Sequence, residues 1–275
     1  MSLLHVVGLT KKFGGVNAVE DLSFEIREKA VHSIIGPNGA GKTTLLNLLT
    51  GVYQPSAGTI AFEEHDLTGR APYEYAGKGI ARTFQNLQVF FNMSALENVM
   101  VGRYMHERCG LASILLRGRG LKRAEKMCRD EAAELMCYVG LQDYLRAAAD
   151  AMPYGALKRL EIARALATEP RLMLLDEPAA GLNPTEALEL EQLIGRLTER
   201  GVTVVLVEHN MRLVMGVSDH ILVLDYGRKL AEGSAQVIRN DPKVIAAYLG
   251  SSVAHDGPFE SDIASAVAVA VEMRR

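Results

Sequence analysis

Residues 36–44 read Gly36-Pro37-Asn38-Gly39-Ala40-Gly41-Lys42-Thr43-Thr44. A short run rich in β-branched residues, 31–35, precedes them and predicts a buried strand. A leucine-rich run, 45–50, follows and predicts a helix that ends near Gly51. Strand, glycine-rich loop and helix in this order are the context that a phosphate-binding loop requires. The sequence therefore predicts a phosphate site in an α/β fold, with a chance glycine-rich turn as the alternative.

The spacing within this loop suits the chemistry of phosphate binding. Gly36, Gly39 and Gly41 let backbone N–H groups converge on phosphate oxygens without side chains intruding. The helix N-terminus adds a positive partial charge at the same point. We expect Lys42 to reach the β- and γ-phosphates and the Thr43 hydroxyl to ligate Mg²⁺.

Composition and charge argue against several classes of protein. The 275 residues are 48% hydrophobic and 23% charged, which is typical of a globular protein. A net charge of −3 gives no global electrostatic case for nucleic-acid binding. The 3 cysteines lack metal-ligand spacing and suit a reducing compartment. The sequence begins without a signal-peptide pattern, and its apolar runs fall short of a membrane span of roughly 20 residues. We therefore expect a soluble cytoplasmic protein.

Two further predicted strands end in polar residues. The apolar run 172–175 leads into Asp176 and Glu177, where a P-loop NTPase would hold Mg²⁺; a solvated turn is the alternative. The apolar run 202–207 leads into His209, and ligands of open α/β sheets bind at the carboxyl ends of strands. A purely structural histidine is the alternative there. Phe13, near a predicted turn, either stacks on a nucleotide base or belongs to the core.

The middle of the chain is mainly helical. Residues 80–85 predict a strand that ends in Gln85, and Ser94 with Glu97 predicts a capping box that opens a helix. Residues 122–138 follow helical spacing, and the irregular, charged stretch 110–120 predicts a mobile insertion. Residues 152–156 predict a loop that runs into a helix over 157–167.

Taken together and in this order, these motifs resemble the ATP-binding subunits of ABC transporters over about residues 3–250. The resemblance makes residues 36–44 the Walker A loop, 152–156 the counterpart of the LSGGQ signature and 180–183 the D-loop. It implies four catalytic residues, Lys42, Gln85, Glu177 and His209. It implies a Mg²⁺ site formed by Thr43, Gln85 and Asp176. The nucleotide-binding residues that it implies are Phe13, Gly36, Pro37, Asn38, Gly39, Ala40, Gly41, Lys42, Thr43, Thr44, Pro153, Gly155 and Asp176.

The resemblance also implies an architecture. We expect a P-loop NTPase of the ABC ATPase cassette type, with a mainly parallel sheet, an N-terminal antiparallel β subdomain and a helical subdomain. Residues 1–250 would form the ATPase domain, with the helical subdomain at about 86–165. Residues 251–275, rich in Ser and Ala, would form a flexible C-terminal tail.

A closer resemblance is to the ATPases of branched-chain amino-acid importers. It rests on residues 81–86, 160–164, 176–184, 207–211 and 245–250. The signature departs from the family pattern, because Pro153 replaces the usual serine and only Gly155 is retained. In the family that serine bonds the γ-phosphate of ATP held by the opposing subunit. Losing a hydrogen bond to a charged group costs roughly 1.5–3 kcal/mol, so we expect a weakened site.

This resemblance implies an enzyme that binds ATP and Mg²⁺ and powers import of a small polar solute, such as a branched-chain amino acid, an amide or urea. The implied partners are a second ATPase subunit, two integral membrane permease subunits and, indirectly, a periplasmic or extracellular solute-binding protein. The weak signature favours a heterodimer of ATPases over a homodimer. We expect the protein at the inner face of the cell membrane, with no nucleic-acid partner. The alternative is a soluble ABC-type ATPase that acts on nucleic acid or ribosomes.

Overall fold

The computed structural model describes residues 2–104 and 119–252, within which ten strands form two sheets. The strands are β1 (Ser2–Phe13), β2 (Val16–Arg27), β3 (Val31–Ile35), β4 (Ala57–Phe62), β5 (His65–Asp66), β6 (Ile80–Arg82), β7 (Leu172–Asp176), β8 (Thr203–Val207), β9 (His220–Asp225) and β10 (Arg228–Gly233). The helices are α1 (Lys42–Leu49), α2 (Pro72–Gly77), α3 (Ala95–Arg103), α4 (Arg119–Tyr138), α5 (Tyr154–Leu166), α6 (Pro184–Glu199), α7 (Met211–Val217), α8 (Ala235–Arg239) and α9 (Pro242–Ser252).

The larger sheet has the strand order β10-β9-β3-β8-β7-β6. All its neighbouring strands are parallel except β10, which runs antiparallel to β9 at the edge. Every residue of β3, β7 and β8 is buried, as expected for parallel strands that are covered on both faces. The carboxyl ends of β3, β6, β7 and β8 meet at one edge of this sheet. That edge therefore brings together the loops that carry most of the predicted site residues.

The smaller sheet is antiparallel, with the order β2-β1-β4-β5. Its first two strands extend far beyond the predicted runs 3–7 and 22–26, because several register shifts let the pairing continue to the turn at 14–15. Helix α1 lies between the two sheets, and its Leu45 and Leu49 pack in one apolar cluster with Leu22 and Phe62 of the smaller sheet. The predicted mainly parallel sheet with an antiparallel N-terminal sheet is confirmed.

Helices α3–α6 cover the other face of the larger sheet. Their apolar side chains, including Val99, Met136 and Leu160, share one cluster with Met173 of β7 and Val204 of β8. None of the helices in the described part of the chain combines the length and the apolar composition that crossing a bilayer requires.

Several predicted boundaries can be compared with the structure. The capping box is confirmed, because the Ser94 side chain accepts from the N–H of Glu97 and the Glu97 carboxylate accepts from the N–H of Ser94. The strand predicted to reach Gln85 ends at Arg82 instead, so Gln85 lies in the following loop. The predicted insertion at 110–120 and the predicted tail at 251–275 lie outside the described residues, apart from 119–120 and 251–252.

Gly102 of α3 lies where this helix approaches α5 closely. A Cβ atom at this position would lie 2.3 Å from the backbone oxygen of Arg164 in α5 and 2.8 Å from the Cβ of Ala167. Because the nearest atom belongs to the backbone, the helices would have to move apart. We expect Gly102→Ala to lower the free energy of unfolding by about 1–3 kcal/mol, measured by urea denaturation.

A matched control is available in α6. Gly195 is exposed, and apart from its chain neighbours and the adjacent backbone of α6, no described atom would lie within 4 Å of a Cβ at this position. Since alanine is about 0.8–1 kcal/mol more favourable than glycine inside a helix, Gly195→Ala should stabilise the protein. An equal gain in stability from both substitutions would contradict the close packing of α3 against α5.

Candidate functional site

The glycine-rich loop connects the buried end of β3 to the start of α1. A Cβ at Gly36 would lie 2.2 Å from the backbone oxygen of Leu224, and one at Gly41 would lie 2.4 Å from that of Ala18. Gly41 also has a φ of 97°, in the left-handed region that favours glycine. The backbones of strands β9 and β2 therefore lie against the loop and leave no room for a Cβ atom, which explains why glycine is needed at both positions.

The N-terminus of α1 is free to receive an anion. Its N-cap residue is Gly41, no side chain caps the helix, and its first turn contains no acidic residue. The first N–H groups of a helix have no intrahelical partner and carry a positive partial charge. Thr43 is exposed in this first turn, while Thr44 is half-buried. The loop and the helix start therefore fit the phosphates of a nucleotide.

Lys42 is the buried cation of this loop. Its side chain folds back so that Nζ donates to the carbonyl oxygens of Gly36, at 2.7 Å, and Pro37, at 3.0 Å. Burial lowers the pKa of Lys42, and the nearby carboxylates of Glu177 and Asp176 oppose that shift. The ammonium group thus stabilises the curved loop and lies where a polyphosphate would meet the helix.

Glu177 connects two other predicted catalytic residues, Gln85 and His209. Its backbone has a φ of 48° directly after β7, and its N–H donates to the carbonyl oxygen of Val207 at 2.8 Å. One carboxylate oxygen accepts from Nε2 of Gln85 at 2.8 Å, and the other lies 2.8 Å from Nε2 of His209. The structure therefore brings Gln85, Glu177 and His209 together in one hydrogen-bonded row. A purely solvated turn at 176–177 is excluded.

Asp176 has a partner that the sequence did not indicate. Nη2 of Arg82 donates to Oδ2 of Asp176 at 2.8 Å, and both side chains are only 6% exposed. Nη1 of Arg82 also donates to Oδ1 of Asn47, at 2.6 Å, and to Oγ1 of Thr50, at 3.3 Å. Arg82 thus connects the ends of β6 and β7 to helix α1. Its place within the strand predicted over 80–85 was the one available signal.

No group of three or more His, Cys, Asp or Glu side chains in residues 2–104 and 119–252 is arranged to hold a metal ion. The three predicted Mg²⁺ ligands are of mixed type: the Thr43 hydroxyl, the Gln85 amide and the Asp176 carboxylate. Mg²⁺ usually keeps several waters and binds through one or two carboxylates together with substrate phosphates. The donor types of these three residues suit such an ion, and a Mg²⁺ site that forms with a nucleotide stays a prediction.

Phe13 lies at the exposed end of β1. Its side chain is 44% exposed, so the core alternative for this residue is wrong. Its ring meets that of Tyr53 edge-on, with 5.2 Å between centroids, and Nζ of Lys11 lies 5.0 Å from its centroid. The ring is thus held in place while remaining accessible to a ligand, and stacking on adenine stays a prediction.

Residues 152–156 differ from the predicted loop. Helix α5 begins at Tyr154 rather than Leu157, with Pro153 as an N-cap residue that offers no side-chain bond. Proline is tolerated at this position because the φ that it imposes, here −67°, is compatible with the extended backbone of an N-cap residue. Gly155 is buried against α6, where a Cβ would lie 2.3 Å from Oε1 of Glu186. A larger residue at position 155 would therefore require the Glu186 carboxylate to move, and the contact of Gly155 with a partner's ATP stays a prediction.

Two buried charged residues of α5 reach the loop that carries Gln85. Nζ of Lys158 donates to the carbonyl oxygen of Gln85 at 2.9 Å, and Oε1 of Glu161 accepts from the N–H of Gln88 at 2.5 Å. Burial raises the pKa of Glu161. Lys158 and Glu161 are only 4% and 3% exposed, and their bonds hold the helix that follows Pro153 to the loop 85–88. Sequence reasoning missed both residues.

Two family models match the chain. One, described as "ABC transporter", matches residues 19–180, and a second, "Branched-chain amino acid ATP-binding cassette transporter", matches residues 228–254. The first covers β2 to the turn after Glu177, and the second covers β10 and the helices that follow it.

Curated relatives match nearly the whole chain. The high-affinity branched-chain amino acid transport ATP-binding protein BraF of Pseudomonas aeruginosa is 45% identical over 251 residues, which are 91% of this chain and 98% of BraF. LivG of Escherichia coli K12, described in the same words, is 44% identical with the same coverage. A probable LivG of Archaeoglobus fulgidus is 34% identical over 251 residues, 91% of this chain and 96% of that protein.

Solved structures share the fold. The ADP conformation of an ATP-binding cassette of an ABC transporter has a TM-score of 0.79 at 32% identity, covering 91% of this chain and 99% of that one. A dimeric post-hydrolysis cassette bound to ADP and phosphate has a TM-score of 0.72 at 25% identity, covering 85% and 99%. The sequence match over more than half of the chain, the relatives and the shared fold agree: this chain belongs to the ATP-binding, ATP-hydrolysing subunits of ABC transporters.

Proposed function

We propose that ATP hydrolysis by this chain powers the import of branched-chain amino acids, or of a related amide or urea, through membrane partner subunits. The observation that carries the proposal is the position of Glu177, which is hydrogen-bonded to both Gln85 and His209 at the edge of the sheet that holds the glycine-rich loop. The choice of solute is supported by the branched-chain amino acid transport for which BraF and LivG are named. Residues 1–250 are the proposed ATPase domain, with a helical subdomain at about 86–165.

The roles of the residues follow from positioning and electrostatics, which carry most of the catalysis in phosphoryl transfer. Lys42 and the N–H groups of the loop would bind the β- and γ-phosphates. Mg²⁺, held by Thr43, Gln85 and Asp176, would neutralise phosphate charge. Glu177 would orient or deprotonate the attacking water, and His209 would hold the γ-phosphate and that water in place.

The membrane partners would dock beside Gln85. Phe90 and Phe91 are 43% and 49% exposed in the segment that follows it. Asn98, which is fully buried, stabilises this segment: Oδ1 accepts from the N–H of Phe90 at 2.9 Å, and Nδ2 donates to the carbonyl oxygens of Phe90 and Ser94. We infer that a helix of a permease subunit contacts the two exposed rings. Lys158 and Glu161 would then transmit its movement to α5.

Co-purification tests the proposal against its alternative. The tagged chain should be isolated from membranes together with two integral membrane proteins and a second ATPase, and the permease subunits should stimulate ATP hydrolysis. A solute-binding protein outside the membrane would act on this complex indirectly. Recovery with ribosomes or nucleic acid instead, with hydrolysis stimulated by them, would support the rival class of soluble ABC-type ATPase.

The second ATPase subunit is proposed to be a different chain. Pro153 has no hydroxyl to offer across a dimer interface, although the N–H groups at the start of α5 have no side-chain cap. Two copies of this chain would form two equally weakened sites. A partner with an intact signature would complete the site at Lys42, which we expect to carry most of the hydrolysis.

Paired lysine mutants measure this asymmetry. Lys42→Ala should reduce ATP turnover of the assembled transporter more than substitution of the equivalent lysine in the partner. Pro153→Ser should raise turnover mainly at the partner's site, by up to about tenfold if the regained bond contributes about 1.4 kcal/mol. An active homodimer with full turnover, or equal losses from the two lysine mutants, would contradict the proposed asymmetry.

A further inference from the structure

Glu208 is a buried carboxylate that accepts hydrogen bonds from two different loops. The residue is 4% exposed and directly follows β8. Oε1 accepts from the N–H of Ala179 at 2.7 Å. Oε2 accepts from the N–H of His209 at 2.9 Å and from that of Asn210 at 3.2 Å. A single side chain therefore holds the segment after Glu177 and the segment that contains His209.

The hydrogen bonds of Glu208 lie just beyond the point where the pairing of strands β7 and β8 ends. Strands β7 and β8 pair up to Asp176 and Val207, and the N–H of Glu177 then donates to the carbonyl oxygen of Val207. Beyond this point the chains diverge into two loops. The carboxylate of Glu208 lies between the loops and connects them across the gap.

A carboxylate suits this position better than other side chains. Burying a charge is costly unless hydrogen bonds compensate for the lost water, and here backbone N–H groups supply them at both oxygens. A glutamine would have one acceptor oxygen and would turn its NH₂ group toward N–H donors. Its oxygen could accept from the N–H of Ala179 or from the N–H groups of residues 209 and 210, but not from both sides. The demand for two acceptor atoms explains the negative charge.

We propose that Glu208 is a positioning residue that sets the 2.8 Å contact between Glu177 and His209. The inference rests on the proposed roles of those two residues in hydrolysis. Ala179 is two residues after Glu177, and His209 is next to Glu208, so a change at the carboxylate displaces both groups. The hydrogen bonds of the Glu208 carboxylate go to Ala179, His209 and Asn210 rather than to the nucleotide loop or Lys42, so nucleotide affinity should not depend on it.

The test is Glu208→Gln, with steady-state ATP hydrolysis and direct ATP binding measured on the same preparation of the assembled transporter. We expect kcat to fall by about 10- to 100-fold, in line with the cost of a small misplacement of catalytic groups. KM and Kd for ATP should stay within about twofold. Glu208→Asp keeps the charge but is one methylene shorter, so it should also lower kcat while KM stays within about twofold. This variant provides the test if the glutamine variant fails to fold.

A double mutant distinguishes positioning from a general structural role. If Glu208 acts by positioning Glu177 and His209, adding Glu208→Gln to Glu177→Gln should slow hydrolysis by a much smaller factor than Glu208→Gln slows the wild type. Asp219→Asn is the matched control. Oδ2 of Asp219 accepts from the N–H of Val31 at 2.8 Å, and Val31 is the first residue of β3, at the end of that strand far from the site. This substitution should leave kcat unchanged.

Three outcomes would overturn the inference: a kcat within twofold of wild type for both Glu208 variants, a KM that rises in step with the fall in kcat, or multiplicative losses in the double mutant. Each can occur while the wild-type transporter hydrolyses ATP normally. Failure of the proposed function would appear differently, as a wild-type rate that does not depend on Glu177.

Discussion

Glu177→Gln is expected to leave ATP binding intact and to reduce ATP hydrolysis by at least about 100-fold, the usual lower range for loss of a general base. The substitution keeps the shape of the side chain and leaves Lys42, Thr43 and Asp176 in place. What it removes is the carboxylate that Gln85 and His209 contact from either side. The attacking water then lacks its base, while the phosphates keep their ligands.

Bound ATP should consequently persist and hold two ATPase subunits together. Radiolabelled nucleotide retained after gel filtration and the sedimentation coefficient of the complex measure this state. Glu199→Gln, the same chemical change at an exposed position near the end of α6, should behave as wild type. Turnover at the wild-type rate in Glu177→Gln would refute the assigned role of this residue.

Arg82→Met should reduce the free energy of unfolding by about 3–5 kcal/mol, since it leaves the carboxylate of Asp176 buried without its charged partner. Both side chains of this pair are only 6% exposed, so water cannot replace the guanidinium group. The bonds from Arg82 to Asn47 and Thr50 are lost as well. Urea denaturation without nucleotide measures the loss directly.

Two further variants show whether loss of the ion pair between Arg82 and Asp176 causes the fall in stability. The double variant Arg82→Met with Asp176→Leu should recover most of the lost stability, because replacing both charges by apolar groups removes the unpaired carboxylate. Arg228→Met breaks an exposed ion pair with Glu20 and should leave stability unchanged within error. An Arg82 variant as stable as the Arg228 variant would contradict the buried pair.

Local sequence patterns predicted much of this molecule. Glycine spacing in residues 36–44 and the apolar runs before Asp176 and Glu208 follow from short-range physics, and the structure places these strands side by side. The same reasoning failed at the start of α5. Pro153 and Gly155 were interpreted as loop residues, yet Pro153 is the N-cap residue of α5 and Gly155 lies in the first turn of that helix.

Contacts between distant segments could not be predicted. Arg82 and Asp176 are separated by 94 positions, and Lys158 reaches the carbonyl of Gln85 across 73. Such bonds depend on the order of strands in the sheet and on which backbone groups lack a partner. Neither leaves a periodic signal in the sequence. Glu208 is a further example, because a glutamate beside a histidine gives no indication that it will be buried.

The most direct measurement is uptake of radiolabelled leucine into proteoliposomes that contain this chain with its co-purifying permease and ATPase subunits and the solute-binding protein. With ATP on the side of the ATPases, the wild-type complex should accumulate leucine, and the Glu177→Gln complex should bind ATP but transport no leucine. Equal uptake by the two complexes, or rapid ATP hydrolysis by the wild type without transport of any branched-chain amino acid, amide or urea, would contradict the account.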